Sequence, residues 1–211
     1  MNFRRAFVNT LTFARLPLIL AWMALAVVAE IRGSWPLAVL GGVFMGLSGL
    51  SDLFDGYLAR RWNVVSRLGQ MADPLMDKVF YICAFPTLVW QIARQAESPV
   101  HAIVMLVFTV LYLLRDTWVT FLRSVGAAHG ANVSAMWLGK VRTALSFPGA
   151  GFIYAYLALH RLVAVEWWNA WLCACFAVEA MLIGLTLWSL ATYTSAYMPY
   201  LKAAISGEKQ S

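Results

Sequence analysis

Long apolar segments constrain the fold of this chain more than any other feature. Six of them approach or exceed the roughly 20 residues that a helix needs to cross a bilayer. They lie near residues 7–31, 36–59, 69–95, 100–124, 139–163 and 168–197. Hydrophobic residues make up 62% of the chain and charged residues 12%, against about 45–50% and about 25% in soluble domains. Because the alternating pattern of barrel strands is absent, we predict an all-α, polytopic membrane protein with six transmembrane helices.

No stretch remains for a separate soluble domain, so residues 1–211 are predicted to form a single membrane domain. Residues 1–6 would be a cytoplasmic N-terminus and residues 200–211 a mobile cytoplasmic tail. With this orientation only Arg32, Arg94 and Arg161, of 16 Lys and Arg, fall on the outer side. The positive-inside rule therefore places both termini in the cytoplasm, in a multi-pass protein of the cell (inner) membrane. The net charge of +6 suits topology and anionic headgroups rather than nucleic acid.

Four aspartates lie at the ends of apolar segments, where ionised side chains are destabilising unless they are paired or bound to a cation. They are Asp52 and Asp55 in the second segment and Asp73 and Asp77 in the third. Helical spacing of about 100° per residue places each pair on one face of its helix. The short basic connector between residues 60 and 68 would make the two helices antiparallel neighbours. We therefore expect the four carboxylates to converge at the cytoplasmic edge.

Small side chains stand beside those aspartates, namely Gly56 and Ala59 in the second segment and Gly69 in the third. They would let a bulky ligand approach the backbone. Carboxylate-only ligation favours Mg²⁺ or Mn²⁺, and four carboxylates favour two ions about 3.5–4 Å apart that promote displacement at phosphorus. Three arginines at the same edge can bind phosphate oxygens: Arg60, Arg61 and Arg67. The alternative is a carboxylate–arginine ion-pair network that fastens the helix ends.

Four glycines lie along the second apolar segment: Gly41, Gly42, Gly46 and Gly49. Gly42 and Gly46 form a GxxxG pair. Such small residues let membrane helices approach closely, so we interpret them as packing residues rather than ligand contacts.

The order D-x-x-D-G-x-x-A-R, eight residues, G-x-x-x-D-x-x-x-D resembles the signature of the CDP-alcohol phosphatidyltransferase family. Every signature position is filled: Asp52, Asp55, Gly56, Ala59, Arg60, Gly69, Asp73 and Asp77. The resemblance implies a homodimeric six-helix enzyme with the CDP-alcohol phosphotransferase fold, active in phospholipid biosynthesis. It would transfer a phosphatidyl group from CDP-diacylglycerol to an alcohol, release CMP, and use two Mg²⁺ or Mn²⁺ ions per subunit.

The resemblance also implies roles for single residues. Asp52 would bridge both metal ions, Asp55 and Asp73 would be metal ligands, and Asp77 would contact the second ion and act as general base. Asn9, Thr12 and Arg15 match the N-xx-T-xx-R opening of bacterial members, beside the nucleotide; for Asn9 a helix cap is the alternative. The CDP-lipid-binding set comprises Gly56, Ala59, Arg60, Ser66, Gly69, Asn9, Thr12 and Arg15.

Farther along, the chain resembles the phosphatidylglycerophosphate synthase branch, whose acceptor is sn-glycerol 3-phosphate. The matching residues are Arg115, Arg123, Val133, Ser134, Gly139, Lys140, Arg142 and Thr143. An acceptor phosphate needs cations, and four of these residues would supply them: Arg115, Arg123, Lys140 and Arg142. Positive-inside topology alone is the alternative. The chain departs from the branch pattern at Asp116, usually Glu, at Arg142, usually Lys, and in lacking Gln after Thr143.

Several other functions compete with this interpretation. Inositol phosphate, inositol and serine are alternative acceptors. A UbiA-type prenyltransferase also uses paired aspartate motifs with Mg²⁺, but its motifs lie far apart in a longer chain. A divalent-cation carrier would hold its acidic residues near mid-membrane, whereas these aspartates lie near cytoplasmic ends. The predicted partners are CDP-diacylglycerol, a small alcohol, membrane lipids and a second copy of the chain, with no nucleic acid.

Overall fold

In a computed structural model the chain folds into a bundle of six α-helices. The structure describes residues 3–95, 98–130, 137–160 and 167–206, apart from the side chains of Gln70 and Leu138. No strand occurs within these ranges, which confirms the all-α prediction. The helices are α1 (Phe3–Arg32), α2 (Trp35–Arg61), α3 (Arg67–Gln95), α4 (Pro99–Ala128), α5 (Trp137–Leu159) and α6 (Trp168–Ser206).

Each helix matches one predicted apolar segment, and the differences lie at the ends. The first helix begins at Phe3, within the predicted N-terminal segment 1–6. The last helix continues to Ser206, so residues 200–206 of the predicted tail are helical. Residues 207–211, the motif residues Val133 and Ser134, and the outer Arg161 lie outside the described residues.

Four of the six helices are long and apolar enough to cross a membrane by length and composition: α1, α2, α4 and α6. They identify the chain as an integral membrane protein. The other two carry charged residues that lower their hydropathy, with Asp73, Asp77 and Lys78 in α3 and Lys140 and Arg142 in α5. The six predicted helices are therefore present, and four of them meet the criterion for a span within the described residues.

The first helix, rather than the short connector, brings the aspartate helices together. It packs extensively against both α2 and α3, and direct packing between α2 and α3 is minor. The prediction that α2 and α3 are direct neighbours is therefore wrong. Asn63 adopts a left-handed conformation in the connector (φ 51°), and the two helices diverge from this turn so that α1 fits between them.

One large apolar core is formed by side chains from all six helices. Phe85 is its centre, with ring centroids 4.9 Å from Phe108 and 4.8 Å from Tyr112. Trp22 of α1 and Leu182 of α6 are also fully buried in this cluster. Tyr112 at its edge contacts the guanidinium of Arg142, so the core adjoins the charged residues of the bundle.

Two of the four glycines in α2 mark close helix packing, as predicted. A Cβ atom at Gly41 would lie 2.6 Å from the Tyr154 hydroxyl, and one at Gly49 would lie 2.5 Å from the Phe147 ring. At Gly46 a Cβ atom would meet nothing within 4 Å. The packing prediction is thus confirmed at Gly41 and Gly49 against α5. Of the GxxxG pair, Gly42 is in ordinary contact with α5, its Cβ position lying 3.5 Å from the Tyr154 ring, whereas Gly46 is not at a contact.

Candidate active site

Arg15 of α1 joins the aspartates of α2 and α3. Its Nη1 lies 2.7 Å from Asp52 Oδ1, and its Nη2 donates a hydrogen bond of 2.8 Å to Asp77 Oδ1. The Arg15 side chain is 4% exposed, whereas those of Asp52 and Asp77 are 43% and 37% exposed. The guanidinium therefore lies beneath two carboxylates that solvent and solutes can still reach.

The other two aspartates complete the cluster without a cation of their own. Asp55 is buried and accepts a 2.7 Å hydrogen bond from Thr12 Oγ1. Asp73 is half-buried and interacts electrostatically with the other three aspartates and with Arg15. The four predicted metal ligands thus interact electrostatically as one aspartate cluster, and Arg15 and Thr12 of α1 supply the polar contacts to three of them.

The donor set of this cluster suits a hard divalent cation, because four carboxylates face a single guanidinium and excess negative charge remains. Within the described residues no three Asp, Glu, His or Cys side chains converge closely enough to hold a metal ion. In this arrangement Arg15 pairs with one oxygen each of Asp52 and Asp77. The ion-pair network considered as an alternative is therefore present, but in the described residues it leaves Asp55 and Asp73 without a cation in contact.

Ser66 ties the start of α3 to α1. Its hydroxyl donates to Asn9 Oδ1 at 2.8 Å and accepts from the Gly69 N–H at 2.9 Å, which caps the helix. A Cβ atom at Gly69 would lie 3.1 Å from the Ser66 oxygen. Asn9 lies inside α1, so its alternative role as a cap of that helix is wrong. The predicted CDP-lipid residues Asn9, Ser66 and Gly69 form one hydrogen-bonded unit.

The face of α2 beside the aspartates is open. A Cβ atom at Gly56 would meet only the Arg60 guanidinium, at 3.5 Å, and Arg60 is exposed. Ala59 is half-buried on the same face. This surface has the room that a bulky ligand of the aspartate cluster needs.

A second charged cluster lies between α4, α5 and α6. Arg142 is buried, with Nη2 3.4 Å from Asp116 Oδ1 and its guanidinium 3.8 Å from the centre of the Tyr112 ring. Arg115 is also buried, and its Nη1 lies 3.7 Å from Asp116 Oδ1. Asp116, which replaces the usual Glu of the resembled branch, is thus shared by both arginines.

The side of this cluster next to α6 is aromatic. Arg115 donates a short hydrogen bond to Ser189 Oγ and lies 4.9 Å from the centre of the Tyr193 ring, and Arg123 lies 5.9 Å from the same ring. A Cβ atom at Gly139 would lie 3.0 Å from the Tyr193 hydroxyl, so only glycine leaves this space. The cationic groups are therefore held in place by ring faces.

Several guanidinium nitrogens of this cluster are buried and have no hydrogen-bond partner among the described residues: Arg115 Nε, Arg123 Nε, Arg142 Nε and Arg142 Nη1. Buried donors are nearly always satisfied in proteins, and an anionic ligand is one group that could satisfy these. Lys140 is exposed and makes no ion pair within the described residues. Of the four predicted acceptor-site cations, the structure brings together the three arginines.

Lys78 connects the two clusters. It follows Asp77 on α3, and its Nζ lies 3.3 Å from Asp116 Oδ2 and 3.2 Å from Thr120 Oγ1. Consecutive residues of one helix thus reach the aspartate cluster and the arginine cluster. Sequence reasoning missed Lys78 and Tyr193 as site residues. A lysine directly after a signature aspartate was an available signal, whereas nothing in the apolar pattern around Tyr193 indicates its position.

The sequence of the chain is similar to those of known proteins. The family described as CDP-alcohol phosphatidyltransferase matches residues 6–183 of the chain. A protein of Blochmanniella floridana named CDP-diacylglycerol–glycerol-3-phosphate 3-phosphatidyltransferase is 30% identical over 169 residues, which cover 75% of this chain and 77% of that protein. A protein of Escherichia coli (strain K12) with the same name is 30% identical over 158 residues, 71% of this chain and 74% of its own. A cardiolipin synthase (CMP-forming) of Streptomyces coelicolor is 30% identical over 173 residues, 75% of this chain and 74% of its own.

Proposed function

The chain belongs to the CDP-alcohol phosphatidyltransferase family, and on that basis we propose that its acceptor is sn-glycerol 3-phosphate. The enzyme is a membrane transferase of phospholipid biosynthesis, and this acceptor would make its product phosphatidylglycerophosphate, with release of CMP from CDP-diacylglycerol. The observation that carries a phosphorylated acceptor is the set of buried guanidinium nitrogens on Arg115, Arg123 and Arg142 that have no hydrogen-bond partner among the described residues. A phosphate monoester supplies oxygens for several of these donors. Serine and inositol lack a phosphate and would leave them unsatisfied. Inositol phosphate carries one too, and the names of the relatives from Blochmanniella floridana and Escherichia coli favour glycerol 3-phosphate over it.

The aspartate cluster supplies the chemistry of transfer. Asp77 takes the proton of the acceptor hydroxyl, whose oxygen forms a bond to the lipid-side phosphorus of CDP-diacylglycerol. The bond between that phosphorus and the bridging oxygen breaks, and CMP leaves with the electron pair. Asp52, Asp55, Asp73 and Asp77 would hold divalent cations, which would supply charge neutralisation for the diphosphate. Mg²⁺ and Mn²⁺ both suit such carboxylate oxygens, and two ions per subunit suit four carboxylates.

The adjacency of the two clusters supports this assignment. Asp77 lies at the aspartate cluster, and Lys78 contacts Asp116 in the arginine cluster. An acceptor whose phosphate binds the arginines would therefore lie beside the helix that carries Asp77.

We place all six helices across the membrane, with both termini and both clusters at the cytoplasmic edge. The helix α3 has 29 residues and α5 has 23, and at 1.5 Å per residue both can cross a hydrocarbon core of about 30 Å. Each also packs between spans of sufficient hydropathy, α3 against α1 and α4, and α5 against α2 and α6. A homodimer is the assembly that the family resemblance implies.

A second candidate acceptor is phosphatidylglycerol. The similarity to a cardiolipin synthase (CMP-forming) favours it, since that relative is as identical to the chain as the other two. A phosphodiester offers fewer charged oxygens to the arginines than a monoester does, which is why glycerol 3-phosphate stands first.

The proposal is tested with purified protein, CDP-diacylglycerol, Mg²⁺ or Mn²⁺, and a panel of acceptors. The panel contains glycerol 3-phosphate, inositol phosphate, inositol, serine and phosphatidylglycerol, and each reaction is scored by CMP release and by the lipid product. Glycerol 3-phosphate should give the highest kcat/KM, and chelation of divalent cations should stop the reaction. A clear preference for any other acceptor would overturn the proposed one.

Replacement of Arg115 by alanine tests the acceptor site itself. A lost hydrogen bond from a charged group costs about 1.5–3 kcal/mol, so the KM for glycerol 3-phosphate should rise by about 10- to 100-fold. The KM for CDP-diacylglycerol should change little. Arg94→Ala is the matched control, because Arg94 is an exposed arginine on Trp90 at the other end of the bundle. An unchanged acceptor KM in Arg115→Ala would remove the arginine cluster from the acceptor site.

A further inference from the structure

Arg15 binds the two carboxylates that the proposed mechanism needs for a cation. Its guanidinium contacts Asp52 and Asp77, whereas Asp55 is held by the neutral hydroxyl of Thr12. We propose that Arg15 is an exchangeable internal counter-ion, which neutralises Asp52 and Asp77 until a divalent cation and the CDP-lipid are bound. Arg15 then releases these carboxylates and pairs with phosphate oxygens. The inference rests on the metal dependence of the proposed function.

The hydrogen bonding of Arg15 is incomplete, as expected of a group that changes partners. A guanidinium has five donors in a planar fork. In Arg15 the buried Nε has no hydrogen-bond partner, and Nη1 approaches Asp52 without hydrogen-bond geometry. An ion pair that only fastened helices would satisfy these buried donors, because unsatisfied ones are destabilising. The remaining donors of Arg15 are suited to the oxygens of a diphosphate.

The position of Arg15 also makes two pairs of aspartates differ in charge environment. Asp52 and Asp77 contact the guanidinium, whereas Asp55 and Asp73 do not. A cation that enters beside Asp55 and Asp73 displaces no charged group, since neither contacts a cation in the described part of the chain. A cation that enters between Asp52 and Asp77 competes with the Arg15 guanidinium. Two divalent ions should therefore bind with different affinities. The CDP-lipid should tighten the weaker one, because its phosphates give Arg15 a replacement partner.

This inference is tested by metal binding to the full-length protein in detergent, with no turnover involved. Free Mn²⁺ is followed by electron paramagnetic resonance in the wild type, Arg15→Gln and, as a matched loss of one charge, Arg94→Gln. In the wild type we expect one tight and one weak Mn²⁺ ion without lipid, and tightening of the weak ion by CDP-diacylglycerol. Without lipid, Arg15→Gln should bind the weak Mn²⁺ ion about tenfold more tightly than the wild type does, which is within the ordinary range of coupling between sites. In this variant CDP-diacylglycerol should tighten that ion much less. Arg94→Gln should match the wild type.

Arg15→Lys keeps a charge at this position and covers the case in which Arg15→Gln does not fold. Lysine lacks the planar fork that reaches two carboxylates at once, so the second Mn²⁺ ion should bind with intermediate affinity. Equal Mn²⁺ affinities in the wild type and the folded Arg15 variants would overturn the inference. If CMP release by the wild type were still metal-dependent, the proposed function would stand. Absence of Mn²⁺ binding in every protein, with and without lipid, would overturn both.

Discussion

Buried arginines mark both halves of the site at the scale of single residues. Arg15, Arg115 and Arg142 are each nine-tenths or more buried, each lies near an aspartate, and each retains an unpartnered nitrogen. The resemblance to the family's motifs identified all three as candidates. It could not assign their partners, because the rotation of α1 and α4 about their axes depends on tertiary packing.

Replacement of Asp77 by asparagine separates proton transfer from binding. The variant keeps the shape of the side chain but cannot accept a proton from the acceptor, and loss of such a base lowers rates by about 10²- to 10⁴-fold. The rate of CMP release at saturating glycerol 3-phosphate should therefore fall by at least about 10²-fold. Binding of CDP-diacylglycerol should survive in part, as measured by equilibrium binding to the same preparation.

The comparison variant for this prediction is Asp73→Asn. Asp73 is a proposed metal ligand without a role in proton transfer, so its loss should be relieved in part by raising the Mn²⁺ concentration. Asp77→Asn should not be rescued in this way. Full activity of Asp77→Asn would remove Asp77 from the role of base.

At the scale of helices, the insertion of α1 between α2 and α3 is the feature that the sequence did not reveal. The signature predicts which residues share a face within each helix, and Arg15 contacts one aspartate from each of the two helices, Asp52 and Asp77. A short connector indicates only that two helix ends are close. It does not determine whether the helices stay together beyond the turn, and here α1 separates them.

Contact between α2 and α5 depends on Gly49. A methyl group at this position would lie 2.5 Å from two carbons of the Phe147 ring, which itself packs 4.7 Å from Phe80 between ring centroids. Gly49→Ala should therefore destabilise the protein by about 1–3 kcal/mol, as overpacking does in well-packed cores. Tryptophan fluorescence during thermal unfolding in detergent measures this change.

Gly46→Ala is the matched control on the same helix. A Cβ atom there meets nothing within 4 Å, so the substitution should leave the stability unchanged or raise it slightly. Equal losses in the two variants would contradict the assigned α2–α5 contact and would favour the GxxxG pair as the packing motif.

At the scale of the whole molecule, the six helices and their order follow from the apolar segments alone. The orientation and the number of spans require more, because α3 and α5 combine charged site residues with sufficient length. A functional site at a membrane edge lowers the hydropathy of the helices that carry it, so hydropathy is least informative for these two. The buried arginines of α4 and α5 and the aspartates of α3 place the site within the bundle rather than on a separate domain.

The number of spans determines on which side of the membrane α3 and α4 end. With six spans and a cytoplasmic N-terminus, the end of α3 faces outward and the end of α4 faces the cytoplasm. If α3 and α5 did not cross, both positions would exchange sides. Cysteines introduced at the exposed residues Arg94 and Ala128, after replacement of Cys83, Cys173 and Cys175 by serine, report these positions. A membrane-impermeant maleimide should label Arg94→Cys in intact cells and Ala128→Cys only after the membrane is opened. The reverse pattern, in a chain with a cytoplasmic N-terminus, would show that α3 does not cross and would overturn the six-span arrangement.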